Sequence, residues 1–366
     1  MDIVIDIGRL QQASGNPLLL LWIIFQSGGW IFVAVFGTGG LLVSLFHSFV
    51  TSQQRKWLSK AKYVLLALDV PKGNEQTPKA VESIFAHLHG IQRGGNAKDK
   101  YLDGYLQLPI SLEIIGIEGQ TQFLIRCPVD ARDLVEAAIY AQYPDVAITE
   151  VRDYTEDIPL DFQEAGYDLW GTEMILYNKD IYPFRTYPFF EHSMTQQFLD
   201  PLSSLLEIMG RLGPTEQVWL QLVIIPSDDS WKARAKSEVK ELLGEKPKPK
   251  PLLPLGMGDV PRNVATGLYE SMVASILPPT EWGAGAKKEE KKDKLKFGDL
   301  TSGEKNTVEA IQMKTAKIGW LTKFRMIYLA KKELLNKGRG VSGVLGSIKQ
   351  FNTQDLNGFK PDSITK

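Results

Sequence analysis

Residues 108–129 read LPISLEIIGIEGQTQFLIRCPV. Two apolar runs, Leu108–Ile117 and Thr121–Cys127, flank Glu118-Gly119-Gln120. Strand-forming residues on both sides of a glycine-containing turn predict a β-hairpin. Upstream, Tyr63–Val70 (YVLLALDV) is a short apolar strand that stops at Pro71-Lys72-Gly73. Thr77 and Pro78 then give the cap-and-proline start of a helix. Its inward positions are Val81, Ile84, Phe85 and Leu88, and Gly90 ends it. A loop with glycines and lysines, Gln92–Asp103, leads back to the hairpin. Downstream, Asp130 caps a second helix through Leu134, Val135, Ala138 and Ile139, which stops at Tyr143-Pro144. Val146–Val151 is a last strand. The order βαββαβ is that of a split βαβ, or ferredoxin-like, unit over residues 63–152.

The second half reads as a similar α+β module, residues 167–351. Gly171–Tyr177 and Phe184–Phe190 are expected strands. Asp200-Pro201 opens a helix with Leu202, Leu205, Leu206 and Met209 inward. Glu216–Ile225 is a strand and Trp231–Leu243 a helix. Residues 245–300 interrupt this module. EKPKPKPLLPLGMG and PPTEWGAGAKKEEKKDKLK are rich in proline, glycine and lysine, a composition expected to be mobile. Between them, Asn263–Leu277 spaces Val264, Leu268, Met272 and Ile276 like a small amphipathic helix. Thr301 and Glu304 form a capping-box pattern that restarts order. Ile318–Ala330 reads as a strand, Lys331 to about Phe351 as a basic helix, and 352–366 as a tail.

The N-terminal part differs in character. No Asp, Glu, Lys or Arg occurs from Leu10 to Gln54. Residues 30–50 are long enough for a helix of about 30 Å, the thickness of a bilayer core. Arg55, Lys56, Lys60 and Lys62 follow, while the preceding segment, 1–29, is slightly acidic. The expectation is an uncleaved single-pass inner-membrane helix, N-terminus outside and bulk of the chain cytoplasmic. Small residues at Ala34, Thr38, Gly40 and Ser44 suit helix pairing, so a homo-oligomer is a possible partner state.

Composition narrows the function. The 366 residues are 43% hydrophobic and 23% charged, with net charge −1, so no broad field draws nucleic acid or anionic lipid. One cysteine, Cys127, gives no internal disulfide framework, and four histidines with one cysteine are little material for a metal site. His87 and His89 point to different sides of their helix. Ser302–Thr307 (SGEKNT) lacks the glycine spacing of a phosphate loop. Gly338–Gly343 (GRGVSG) fits G-x-G-x-x-G but sits in a basic, helical context, where a kink or close packing point explains it better. The reading is a non-enzyme without catalytic, cofactor-binding or metal-ligating residues. The residues singled out for partner or nucleic-acid contact are Lys331, Lys332, Lys337, Arg339 and Lys349.

Three stretches carry a family resemblance: AIYAQYPDVAITEVRDY (Ala138–Tyr154), KFRMIYLAKKELLNKGRG, and VSGVLGSIKQFNTQDLNGFKP (Val341–Pro361). In them the chain resembles a family of uncharacterised membrane-anchored bacterial proteins related to the N-terminal, non-motor regions of type IV secretion and conjugation ATPases. The resemblance implies a non-catalytic scaffold or adaptor that docks a HerA/FtsK-like motor ATPase. The chain itself has no Walker motif. The alternative is a membrane-tethered nucleic-acid-binding protein using the basic 317–349 region.

Overall fold

The computed structural model describes residues 30–71, 76–190, 200–244 and 300–363. The expected N-terminal segment 1–29, the small helix 263–277 and nearly all of the insert 245–300 lie outside these residues.

Eight strands form one antiparallel sheet: β1 (Tyr63–Asp69), β2 (Ile110–Ile117), β3 (Gln120–Pro128), β4 (Ala147–Val151), β5 (Tyr167–Leu176), β6 (Gln217–Pro226), β7 (Trp320–Lys331) and β8 (Phe359–Pro361). Their order is β4-β1-β3-β2-β6-β7-β5-β8. The first four strands stand in the order of a split βαβ unit. Counted from the opposite edge, β8-β5-β7-β6 repeats that order. The β2–β3 hairpin turns at Glu118 (φ 51°) and Gly119 (φ 85°), the left-handed pair that a two-residue turn between twisted strands requires.

The two halves join along β2 and β6, in register from Ile110↔Ile224 to Ile117↔Gln217. This corrects the expected architecture of a spanning helix followed by two ferredoxin-like modules. The physical reason lies in β2 itself. ISLEIIGI is apolar nearly throughout and mostly buried, and as an exposed edge it would invite uncontrolled pairing. β6 (QVWLQLVIIP) is equally apolar and closes it.

Helices α2 (Pro78–Leu88), α4 (Arg132–Tyr140), α5 (Ser203–Gly210) and α8 (Val344–Lys349) pack on one face of the sheet. α1 is Trp30–Lys60 and α3 is Ala97–Tyr101, while α6 (Ser230–Leu242) and α7 (Ser302–Thr315) pack together around Ala235 and Ile311. Thr301 and Glu304 form the reciprocal capping box at the start of α7. Leu66, Ile110, Ile125, Val135 and Ile224 build one core cluster, and Met209, Val218, Met326, Tyr328 and Val344 another.

The transmembrane expectation for residues 30–50 is also corrected. Among the described residues no helix is long and apolar enough to cross a membrane. Within the 31-residue α1, Gly37-Thr38-Gly39-Gly40, Ser44 and His47 dilute the apolar run. Its lower half is held by protein: Phe46 meets Tyr101 and Trp57 meets the edge of Tyr105. The single-pass inner-membrane placement inferred from that span falls with it.

Three local expectations change too. Residues 184–190 form no strand but a loop with a 3-10 turn at Tyr187–Phe189, because Pro183 and Pro188 cannot donate to a ladder. The edge place beside β5 goes instead to β8 from the tail, with Met174↔Pro361 and Leu176↔Phe359. The basic helix expected from Lys331 begins later: β7 runs through Lys331, and a turn and a π-helical segment, Gly338–Gly343, precede α8.

Candidate functional site

The five residues singled out do not form one patch. Lys331 ends β7, Lys332 opens the following turn, and Lys337 precedes the π-helical segment that contains Arg339. Lys349 lies at the other end of that helical stretch, at the last residue of α8. The side chains of Lys331, Lys332 and Lys337 are exposed. The other cations of the 317–349 region are largely paired. Lys317 binds Glu82, and Lys323 and Arg325 lie 3.1 Å and 3.7 Å from Glu173.

Arg339 has a different role from its lysine neighbours. Its guanidinium bonds Glu216, a carboxylate only 1% exposed at the head of β6. Glu216 Oε1 accepts from the Tyr328 hydroxyl at 2.6 Å, and Oε2 accepts from the Gly213 amide at 2.6 Å. Tyr328 Oη in turn accepts from the Asn336 amide at 2.8 Å. Burial, then the bond to Glu216, pushes the Tyr328 hydroxyl up to about 12. It therefore stays a neutral donor throughout the physiological range. Gly340 presses against the same ring, leaving no room for a Cβ. The residues between β7 and Gly340 are thus clamped at Tyr328, Asn336 and Arg339. The turn displays its lysines from a fixed frame, which lowers the entropy lost when a partner binds.

The sequence reading missed Glu216 and Tyr328. A lone acid opening an apolar strand, Glu216 before QVWLQLVII, was the available signal. A second missed network lies on the sheet face opposite the helices. Buried Glu113 accepts from the Tyr154 hydroxyl at 2.6 Å, and Gln221 donates to that hydroxyl at 2.8 Å. Arg126 reaches Glu113 at 3.4 Å and grips Asp153 with two bonds, 2.5 Å and 2.9 Å. Those bonds hold the Asp153 carboxyl well below its usual range. One guanidinium serves both carboxylates, and the Tyr154 hydroxyl supplies the other partner that buried Glu113 requires.

The remaining candidates are accounted for by packing. His89 Nε2 lies 3.2 Å from the Ser227 carbonyl, with its ring edge-on to Trp320, while His87 is exposed. Cys127 is fully buried, and burial pushes its thiol up to about 11. Among the described residues no three or more His, Cys, Asp and Glu side chains are grouped to hold a metal ion. On the helical face an apolar groove of about 630 Å³ crosses the seam between the halves, floored by Leu112, Ile114, Leu220 and Leu222. Ser347, a polar side chain along it, is already committed, its Oγ donating to the Gly343 carbonyl.

A family model described as a domain of unknown function (DUF8128) matches residues 49–366. The chain belongs to this family. No curated protein and no solved structure matches it. The DUF8128 match starts within the lower half of α1 and takes in all eight strands. The family domain is therefore the whole sheet with its two halves, together with the clamped lysine turn.

Proposed function

We propose that this DUF8128 chain is a non-catalytic scaffold or adaptor that docks a HerA/FtsK-like motor ATPase of a type IV secretion or conjugation system. The observation that carries the reading is the turn after β7. Lys331, Lys332 and Lys337 stand exposed on a segment clamped by Glu216, Tyr328 and Arg339. A rigid group of cations suits an acidic surface on a folded partner, where complementary charge steers encounter and fixes orientation. The sequence resemblance to non-motor regions of such ATPases supplies the partner class. The nucleic-acid reading draws less support, because Lys317, Lys323, Arg325 and Arg339 are each occupied by a carboxylate.

The test is retention of a purified HerA/FtsK-like ATPase on the immobilised chain at rising salt. The K331Q/K332Q/K337Q variant is expected to bind at least about 10-fold more weakly, with an unchanged melting temperature. Retention unaffected by the triple variant overturns the assignment of this surface. Nucleotide hydrolysis by the chain alone, abolished by a single substitution in it, overturns the non-catalytic reading. Tighter binding to duplex DNA than to the ATPase, falling steeply with salt, favours the nucleic-acid alternative.

A further inference from the structure

A second cavity, of about 390 Å³, lies between the base of α1 and the loop from Gln92 to Gln107. Its walls include Gln54, Arg93, Lys100, Tyr101, Tyr105 and Gln107. The loop is built, not draped. Asn96 and Asp99 cap α3 reciprocally, and the Tyr105 amide donates to the Asp99 carbonyl at 2.8 Å. Gln107 Oε1 accepts from both the Arg93 amide (3.1 Å) and the Tyr105 hydroxyl (3.0 Å), tying the two ends of the loop together. Gly104, at φ +69°, lies directly on the Gln53–Gln54 backbone of α1, where a Cβ would collide. Trp57 and Tyr105 meet edge-on at 5.2 Å. None of these contacts uses the Arg93 or Lys100 head groups.

We propose that this cavity binds a mononucleotide, with its phosphate on Arg93 and Lys100, its ring against Tyr101 or Tyr105, and its base edge met by the Gln54 amide and the Gln107 Nε2 donor, Gln107 Oε1 being already filled. The lining has two exposed cations and no carboxylate, so it selects an anion. Neither cation forms an ion pair among the described residues. A bare phosphate would fill a small part of the volume, which lies in the range of ordinary ligand pockets. The rest of the wall is aromatic and amide. Base-on-aromatic stacking contributes roughly 1–3 kcal/mol per base, and the Gln54 amide offers a donor and an acceptor side by side, as a base edge requires. Burial raises Tyr105 above its ordinary value, while the Arg93 guanidinium is near enough to oppose that rise. The phenol therefore remains neutral beside the anion site. The site stands apart from the lysine turn, and its test is independent of the partner proposal.

The test is calorimetric titration of the full chain with AMP, GMP, CMP and UMP, with adenosine and inorganic phosphate as partial ligands. Saturable one-site binding of at least one mononucleotide is expected, with its nucleoside and inorganic phosphate each at least about 10-fold weaker. R93Q and K100Q, both at exposed positions, should weaken that nucleotide about 10-fold or more, with melting temperatures unchanged. K331Q should leave it unaffected. Three results would each overturn the proposal: no saturable mononucleotide binding at millimolar concentration, affinity unchanged in both R93Q and K100Q, or inorganic phosphate binding as tightly as the nucleotide.

Discussion

Gly340 occupies the most demanding single position in the turn. A methyl group there would overlap the buried ring of Tyr328, whose hydroxyl is fixed by Glu216 and so cannot swing away. Overpacking of this kind costs roughly 1–3 kcal/mol. Gly340→Ala is therefore expected to lower the unfolding free energy measured in urea by that amount. Gly346, which sits inside α8 with open space where a methyl group would go, provides the control. Gly346→Ala should be neutral or stabilising by up to about 1 kcal/mol, as alanine restricts the unfolded chain. Equal effects at the two positions would show that the clamp on Tyr328 does not exist.

The element that follows β4 is held to the sheet by charge as well as by the buried Tyr154 ring. The 3-10 turn Tyr154–Asp157 begins at Asp153, whose carboxylate accepts from Arg126, the Thr155 amide and the Thr155 hydroxyl. The Arg126 bond is the largest cause of its lowered pKa. The sign follows directly. The unfolded carboxyl titrates near about 3.9 and the folded one lower, so between those values the unfolded chain binds more protons. The stabilisation is complete above the unfolded value and is lost as pH falls through the folded one. Urea midpoints should decline as pH drops below about 4. Asp153→Asn should be less stable at neutral pH by about 1–3 kcal/mol, and its acid decline should be shallower than the wild type's. A variant with the wild-type acid slope would mean that Asp153 is not the group responsible.

On the scale of the whole molecule, the β2–β6 seam turns two split βαβ orders into one sheet. Core residues on both sides share it: Ile110 and Ile224 lie in one buried cluster, and Ile114 and Leu220 in the next. Unfolding by urea should therefore be a single transition, coincident by circular dichroism and tryptophan fluorescence. A fragment ending at residue 166 would leave Ile110–Ile117 as an open apolar edge. It is expected to self-associate on gel filtration. A stable monomeric fragment would show that the halves fold independently.

Much of the chain was legible from local rules. The Glu118-Gly119 turn, the apolar strands around it, the proline-started α2 and the Thr301–Glu304 cap depend on neighbours within a few residues. Backbone geometry and side-chain reach determine them before any distant contact forms. Other features depended on partners far away in sequence. Whether β2 is an edge or a centre depends on β6, more than ninety residues on. Residues 184–190 have strand-like side chains, but the place beside β5 went to Phe359–Pro361, whose proline stands at the end of the short edge strand. The apolar run of α1 reads as a span until Tyr101 and Tyr105 are seen packed on its lower half. Arg339 reads as one more basic residue until the fold places the buried Glu216 beside it. The sequence by itself determined the elements whose turns, caps and apolar spacing are local, the β2–β3 hairpin, α2 and α7 among them. Only the tertiary structure decided which edges close, which charges are neutralised and which remain free, because burial and Coulomb attraction depend on what lies opposite.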